Sequence, residues 1–234
     1  MVNALGNNHA QIAASLKAGV APGMTVQKGW LTEDRPVWLG SVTGELPAIP
    51  SGLPAHRSRN NQLLLAALAQ IEAPVNDAIA RYGKDRVAIV MGTSTSGIAE
   101  GEDAVRHLQQ HGEFPADYDY QQQELGDPSQ FMAQLLDLSG PAYTLSTACS
   151  SSAKAIISGK RLIESGLADA ALVGGADSLC RMPVNGFNSL ESYSRGHCTP
   201  FGQNRDGINI GEASALLLLT REPAEIALLG AGES

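Results

Sequence analysis

Tyr143-Thr-Leu-Ser-Thr-Ala-Cys149-Ser-Ser-Ser-Ala153 is the stretch whose reading decides the fold. Residues 142–147, AYTLST, carry no charge and are rich in β-branched and aromatic side chains, the composition of a buried strand. Small residues follow, and then CSSSAKAIISGKRLIESG, a helical run of about five turns by its length. Cys149 is thereby set at a helix N-terminus, where unpaired N–H groups and the positive end of the dipole favour a thiolate. Ala148, Ser150, Ser151, Ser152 and Ala153 leave room for a substrate to approach. The arrangement is that of a nucleophile elbow with sulfur in place of a hydroxyl. Position alone leaves a second reading open, in which Cys149 is a small buried residue of the kind protein cores often hold.

Working outward, strand and helix signals alternate. Asn7 or Asn8 can cap a short helix through Lys17 that shows Ile12, Ala13 and Leu16 on one face and stops at Gly19. Residues 20–54 are rich in Gly and Pro and read as an irregular excursion with one strand near Val37–Val42. A long helix from about Ser58 to Tyr82 contains Pro74, which predicts a kink or a break. Gly83 stops it, RVAIVM at 86–91 is a buried strand, and Gly92–Gly97 turns the chain into a helix near Ile98–Gln110. A polar, Gln-rich stretch at 112–127 precedes a helix opened by Asp127-Pro128 and closed by Gly140. After the cysteine helix come a strand at 169–173, Gly174-Gly-Ala-Asp177, a helix over 183–192, a loop at 194–207, an apolar strand within 208–219, and a further strand from Glu225 to Leu229. This alternation predicts an α/β fold with a mostly parallel sheet.

Bulk composition narrows the function. The 234 residues suffice for one domain or two small ones, with 43% hydrophobic and only 17% charged residues. A net charge of −8 argues against a general nucleic-acid binder, which needs a basic face. Cys149, Cys180 and Cys198 are odd in number and lack CxxC spacing, so neither a disulfide framework nor a zinc site is expected, and a reducing, cytoplasmic setting fits. No apolar run approaches 18 residues and the N-terminus lacks a charged segment followed by an apolar one, so neither a membrane span nor a signal peptide is expected.

Other motifs read more quietly. Gly92-x-Ser94-x-Ser96-Gly97 is not G-x-S-x-G and pairs with no histidine, so it reads as a turn lining a pocket. Gly230-Ala-Gly232 has no helix after it and is set aside as a dinucleotide loop. His197 beside Cys198 could be a base or a ligand, but no metal spacing surrounds it. Arg205-Asp-Gly207 and Gly211-Glu212 imply a tight hairpin whose charged groups are partly buried and need partners.

Taken together these motifs resemble the β-ketoacyl-acyl-carrier-protein synthases, of thiolase-like fold. The matching pieces are Met1-Val-Asn-Ala-Leu-Gly-Asn7, Gly92–Gly97, Thr147-Ala-Cys149-Ser-Ser-Ser152, Gly174-Gly-Ala-Asp177, Pro200-Phe201, and Arg205-Asp-Gly-Ile-Asn-Ile-Gly-Glu-Ala213. They run through the whole chain in order. The resemblance implies a mixed, mostly parallel sheet with helices on both faces, one half of a five-layer αβαβα fold. It makes Cys149 the nucleophile that takes an acyl chain from a carrier-protein thioester, with its own N–H as one oxyanion donor. Thr95 aligns with the residue gating the acyl pocket, Phe187 with a pocket-wall aromatic, and Arg57 and Arg59 with basic carrier-protein contacts. Strand 142–147 aligns with the one that pairs across the family's dimer interface.

The family completes its site with two histidines, a lysine and a glycine-rich loop from a second half. None of these is found here, and His197 stands at neither histidine position. The resemblance therefore implies that residues 1–234 are an N-terminal domain truncated at both ends, able by itself at most to self-acylate. The expected whole is a 3-oxoacyl-acyl-carrier-protein synthase of fatty-acid or polyene biosynthesis. It condenses an acyl thioester with a malonyl thioester without a cofactor, as a homodimer or a ketosynthase heterodimer, with no membrane or nucleic-acid partner. Two alternatives stand beside it: a non-catalytic chain-length subunit, against which the cysteine counts, and a coenzyme A thiolase, against which the three serines count.

Overall fold

The computed structural model describes residues 1–33 and 35–233; Ser234, the last residue of the expected domain, lies outside them. The chain falls into two compact units, one of residues 1–70, 95–124 and 176–215 and one of residues 71–94, 125–175 and 216–234.

The first unit opens with α1 (His9–Ala18). Asn8 caps it by accepting from the Gln11 amide, and Gly19 ends it in the left-handed conformation that a residue without Cβ adopts cheaply. Of its expected apolar face only Ile12 is buried, together with Ser15, while Leu16 faces solvent. Two strands occupy the Gly/Pro-rich excursion rather than one: β1 (Met24–Gln27) lies antiparallel to β2 (Val37–Gly40). Helices α2 (Arg59–Leu68), α4 (Ile98–His111) and α7 (Arg181–Ser189) complete the unit, with the two-residue strand β6 (Ile210–Gly211) parallel to β2. Leu31, Val37, Leu39, Leu179, Val184 and Tyr193 form its buried cluster. Residues 205–212 are not the expected hairpin. Ile208 bridges to Tyr193 and Ile210–Gly211 pairs with Leu39–Gly40, so the segment is extended and takes its partners from elsewhere in the unit.

The second unit begins after a break at residues 69–71, with α3 (Glu72–Tyr82). The break precedes Pro74, which sits in the first turn of α3, where its missing N–H costs no helical bond. The strands β3 (Val87–Gly92), β4 (Ala142–Leu145) and β5 (Ala170–Asp177), together with β7 (Ala213–Thr220), form a sheet in the order β4-β3-β5-β7. β3 runs parallel to both β4 and β5. Residues 170–175 of β5 and 216–220 of β7 belong to this unit.

Side chains alternate along β3, and both of its faces are buried. Ala88 and Val90 meet α6 (Ser151–Glu164) through Ala155 and Ile163. Val87 meets α3 through Ala78. Helices thus cover both faces, as a parallel sheet requires. β4 is the edge strand, so Tyr143, Thr144 and Leu145 are half-buried rather than enclosed. Helix α5 (Asp127–Leu135) starts at the expected place but ends before Leu136, well short of Gly140. The strand expected over 225–229 does not form; Ile226 and Leu229 are exposed in an irregular segment. Among the described residues no single helix is long and apolar enough to cross a membrane.

Candidate active site

The second unit presents its strand C-termini toward the start of α6, and glycines make that close approach possible. A Cβ on Gly92 would lie 2.4 Å from the Ser152 amide nitrogen, and one on Gly175 would lie 2.2 Å from the Gly92 carbonyl oxygen. Both clashes are with backbone, which cannot swing aside. Gly92 and Gly175 are register partners on β3 and β5, so the Gly92–Gly97 and Gly174–Asp177 motifs contribute one bare pair on which the helix N-terminus rests. Ligand sites of parallel sheets occur at this end of the strands.

Cys149 sits there, one residue before the α6 cap Ser150, and it is exposed. All of residues 146–150 are exposed, so the thiol is not the buried core cysteine of the alternative reading. The preceding residue, Ala148, has φ 54°, a left-handed conformation that costs a non-glycine residue energy and persists only where its surroundings hold it. Serines do the holding. Ser150 Oγ donates to the Thr147 carbonyl at 2.9 Å. Ser151 Oγ accepts from the Thr147 amide at 2.9 Å and donates to the Ala148 carbonyl at 2.6 Å. Ser94, from the turn after β3, donates to the same carbonyl at 3.0 Å. The serines thus do more than leave room beside Cys149, and Ser94 does more than line a pocket. The dense clustering of hydroxyls around a strand-to-helix corner was the available signal that they tie the turn.

The other four candidate residues belong to the first unit. Thr95 is buried, and its hydroxyl donates to Asp177 at 3.1 Å and accepts from the Ser178 amide at 3.1 Å. The Thr95 amide also donates to Asp177, at 3.0 Å. Phe187, half-buried on α7, packs on the Val184 and Tyr193 cluster. Arg57 is exposed beside Asp117 at 3.5 Å. Arg59 instead grips Glu212 with Nη2 at 2.6 Å and Nε at 2.8 Å. Arg57 and Arg59 line one cleft of about 600 Å³ together with Glu100, Asp103, His107 and Asp117. Desolvation raises the Glu100 carboxyl above its usual range, against the opposing pull of the Arg59 amide that it accepts at 2.7 Å.

His197 packs edge-on against Trp38, with ring centroids 5.3 Å apart. Asp206 accepts from Ser194 Oγ at 2.6 Å, a bond that holds its carboxyl below the usual range. Among the described residues no group of His, Cys, Asp and Glu could hold a metal ion. Burial pushes the Cys180 thiol up to about 12.

A sequence model of the family described as Beta-ketoacyl synthase, N-terminal domain, matches residues 58–224. The 3-oxoacyl-[acyl-carrier-protein] synthase 2 of Rhizobium meliloti (strain 1021) is 36% identical over 90 residues, which are 35% of this chain and 21% of that protein. Among solved structures, a ketosynthase in complex with its chain length factor from Xenorhabdus doucetiae matches with a TM-score of 0.94 and 60% identity, covering 98% of this chain and 58% of the matched one. A beta-ketoacyl synthase from Burkholderia phymatum STM815 matches with a TM-score of 0.74 and 26% identity, covering 93% of this chain and 56% of that one. The chain thus spans a little over half the length of these two structures and about a fifth of the Rhizobium protein.

Proposed function

Because the chain belongs to the β-ketoacyl synthase family, matched over residues 58–224, we propose that it carries the acyl-accepting half of a 3-oxoacyl-acyl-carrier-protein synthase reaction. Cys149 is the nucleophile. Its sulfur bonds to the carbonyl carbon of an acyl thioester while the carbonyl electrons move onto oxygen. Collapse of that intermediate expels the carrier thiolate, which takes up the proton lost by Cys149. The Cys149 N–H is one donor to the developing oxyanion. Condensation follows in the whole protein: malonyl thioester loses carbon dioxide, and the resulting carbanion displaces Cys149 from the acyl group to give the 3-oxoacyl thioester.

The observation that carries this reading is an exposed cysteine held at the C-terminal end of a parallel sheet, one residue before a helix cap. The carrier protein is acidic in this reading and meets Arg57, the exposed cation of the cleft. Arg59 lines the same cleft, but its charge is matched by Glu212, so Arg57 is the arginine left to meet an acidic partner. By the family resemblance, Thr95, bonded to Asp177 at 3.1 Å, and Phe187, packed on the Val184 and Tyr193 cluster, take part in recognising the acyl chain. The assembly is a heterodimer with a chain-length subunit, by analogy with the Xenorhabdus complex, using the open edge of β4. Three free cysteines agree with a cytoplasmic setting.

The test is acyl transfer. The full-length protein is incubated with an octanoyl-carrier-protein thioester and digested for mass spectrometry. An octanoyl mass on the Cys149 peptide, absent in Cys149→Ala, is expected. Transfer to no residue would favour the chain-length subunit, and transfer from octanoyl-coenzyme A alone would favour a thiolase.

A further inference from the structure

The Ala148 carbonyl receives three donors at once: the Ser151 amide at 3.1 Å, Ser151 Oγ at 2.6 Å and Ser94 Oγ at 3.0 Å. This carbonyl belongs to the same peptide unit as the Cys149 N–H. The unit is planar, and no cis peptide occurs among the described residues, so the C=O and N–H point in opposite directions. Fixing one end of the unit fixes the aim of the other. The left-handed φ of Ala148 gives this peptide a reason to rotate, because relaxation toward ordinary backbone would turn its plane. Ser151 restrains it from within α6. Ser94 restrains it from a different segment, the turn after β3, so its bond ties the peptide to the sheet.

We infer that Ser94 is a positioning residue for the oxyanion donor: its hydroxyl, bonded to the Ala148 carbonyl, holds the Cys149 N–H in the direction where the thioester oxyanion forms. The same bond draws electron density toward the carbonyl and makes the N–H a stronger donor. The inference rests on the proposed function, in which Cys149 attacks a thioester.

Two reactions of the same sulfur separate positioning from general damage. Attack on a thioester builds an oxyanion, whereas alkylation by iodoacetamide displaces iodide at a saturated carbon and builds none. In the full-length protein, Ser94→Ala is expected to slow Cys149 acylation by the octanoyl thioester of N-acetylcysteamine about tenfold at saturating thioester. That is less than loss of an oxyanion donor itself costs. Alkylation should stay within about twofold of wild type, and Ser94→Thr, which keeps the hydroxyl, should restore most of the acylation rate. An unchanged acylation rate in Ser94→Ala would overturn the inference, as would an equal slowing of both reactions or a threonine variant as slow as alanine. A wild-type protein that is alkylated at Cys149 yet never acylated would overturn the proposed function itself.

Discussion

Arg59 holds Glu212 through two parallel hydrogen bonds, Nη2 to Oε1 at 2.6 Å and Nε to Oε2 at 2.8 Å. The Glu212 side chain is fully buried while the Arg59 side chain remains 38% exposed. Glu212 also accepts from the amides of Val42 at 2.9 Å and Leu179 at 3.4 Å, so one acid joins α2, the end of β2 and the approach to α7. A bidentate pair of this geometry is among the stronger ion pairs, and its value lies mostly in what its loss exposes.

Arg59→Ala is therefore expected to destabilise the protein by about 3 kcal/mol, the lower end for an orphaned buried charge because Arg59 is itself partly solvated. Urea unfolding checks this. A loss below about 1 kcal/mol would show that the backbone amides alone satisfy Glu212.

Arg57 is the better probe of carrier docking, because its ion pair with Asp117 is exposed on both sides and holds little of the fold. Arg57→Glu is expected to weaken carrier-protein association about fivefold at low salt, with the difference vanishing near 0.5 M salt. Titration of the carrier protein at two ionic strengths would show it. An effect that ignores salt would place the contact elsewhere.

Gly92→Ala and Gly175→Ala each set a Cβ against backbone at 2.4 Å or less. Overpacking against main chain costs about 1–3 kcal/mol, and the shift is delivered directly to the start of α6. Both variants are expected to melt earlier and to lose acylation of Cys149 out of proportion to the fraction unfolded. Melting curves and acylation rates measured on the same samples test this, and full activity in either variant would contradict the close packing.

Glu100 provides a pH signature. Burial raises its folded-state pKa above the ordinary 4.5, so between those two values the folded protein binds more protons than the unfolded chain. Its contribution to stability is complete below pH 4.5 and is lost as pH rises through the folded value. Glu100→Gln keeps an oxygen for the Arg59 amide and removes the charge, so it should be more stable than wild type at pH 8, with the gap closing toward pH 4.5. Denaturation midpoints across that range decide the matter; a gap that widens on acidification would refute it.

Thiol chemistry should sort the cysteines. Cys180 is buried, with a thiol pushed up to about 12, so it is protonated and inaccessible at pH 8. Iodoacetamide is expected to label Cys149 and leave Cys180 unmodified, as peptide mapping would reveal.

Local chemistry was legible in the residues. The Asn8 and Gly19 caps, the break before Pro74, the doubly buried β3, the turn at Gly92–Gly97 and the place of Cys149 just before a helix all follow from side chains acting within a few positions of themselves, whereas the exposure of Cys149 does not. The family resemblance rested on the same short motifs, and the match over 58–224 agrees with it. Pairings across long separations were a different matter. That Glu212 would take Arg59 rather than form a hairpin, that β4 would be an edge strand, and that Ser94 would reach the carbonyl preceding Cys149 depend on which segments the packed core brings side by side. Caps, turns and periodicities are set by neighbouring residues, so sequence alone determined them. A hydrogen bond between residues 54 positions apart exists only after the sheet has formed, and tertiary structure alone decided it.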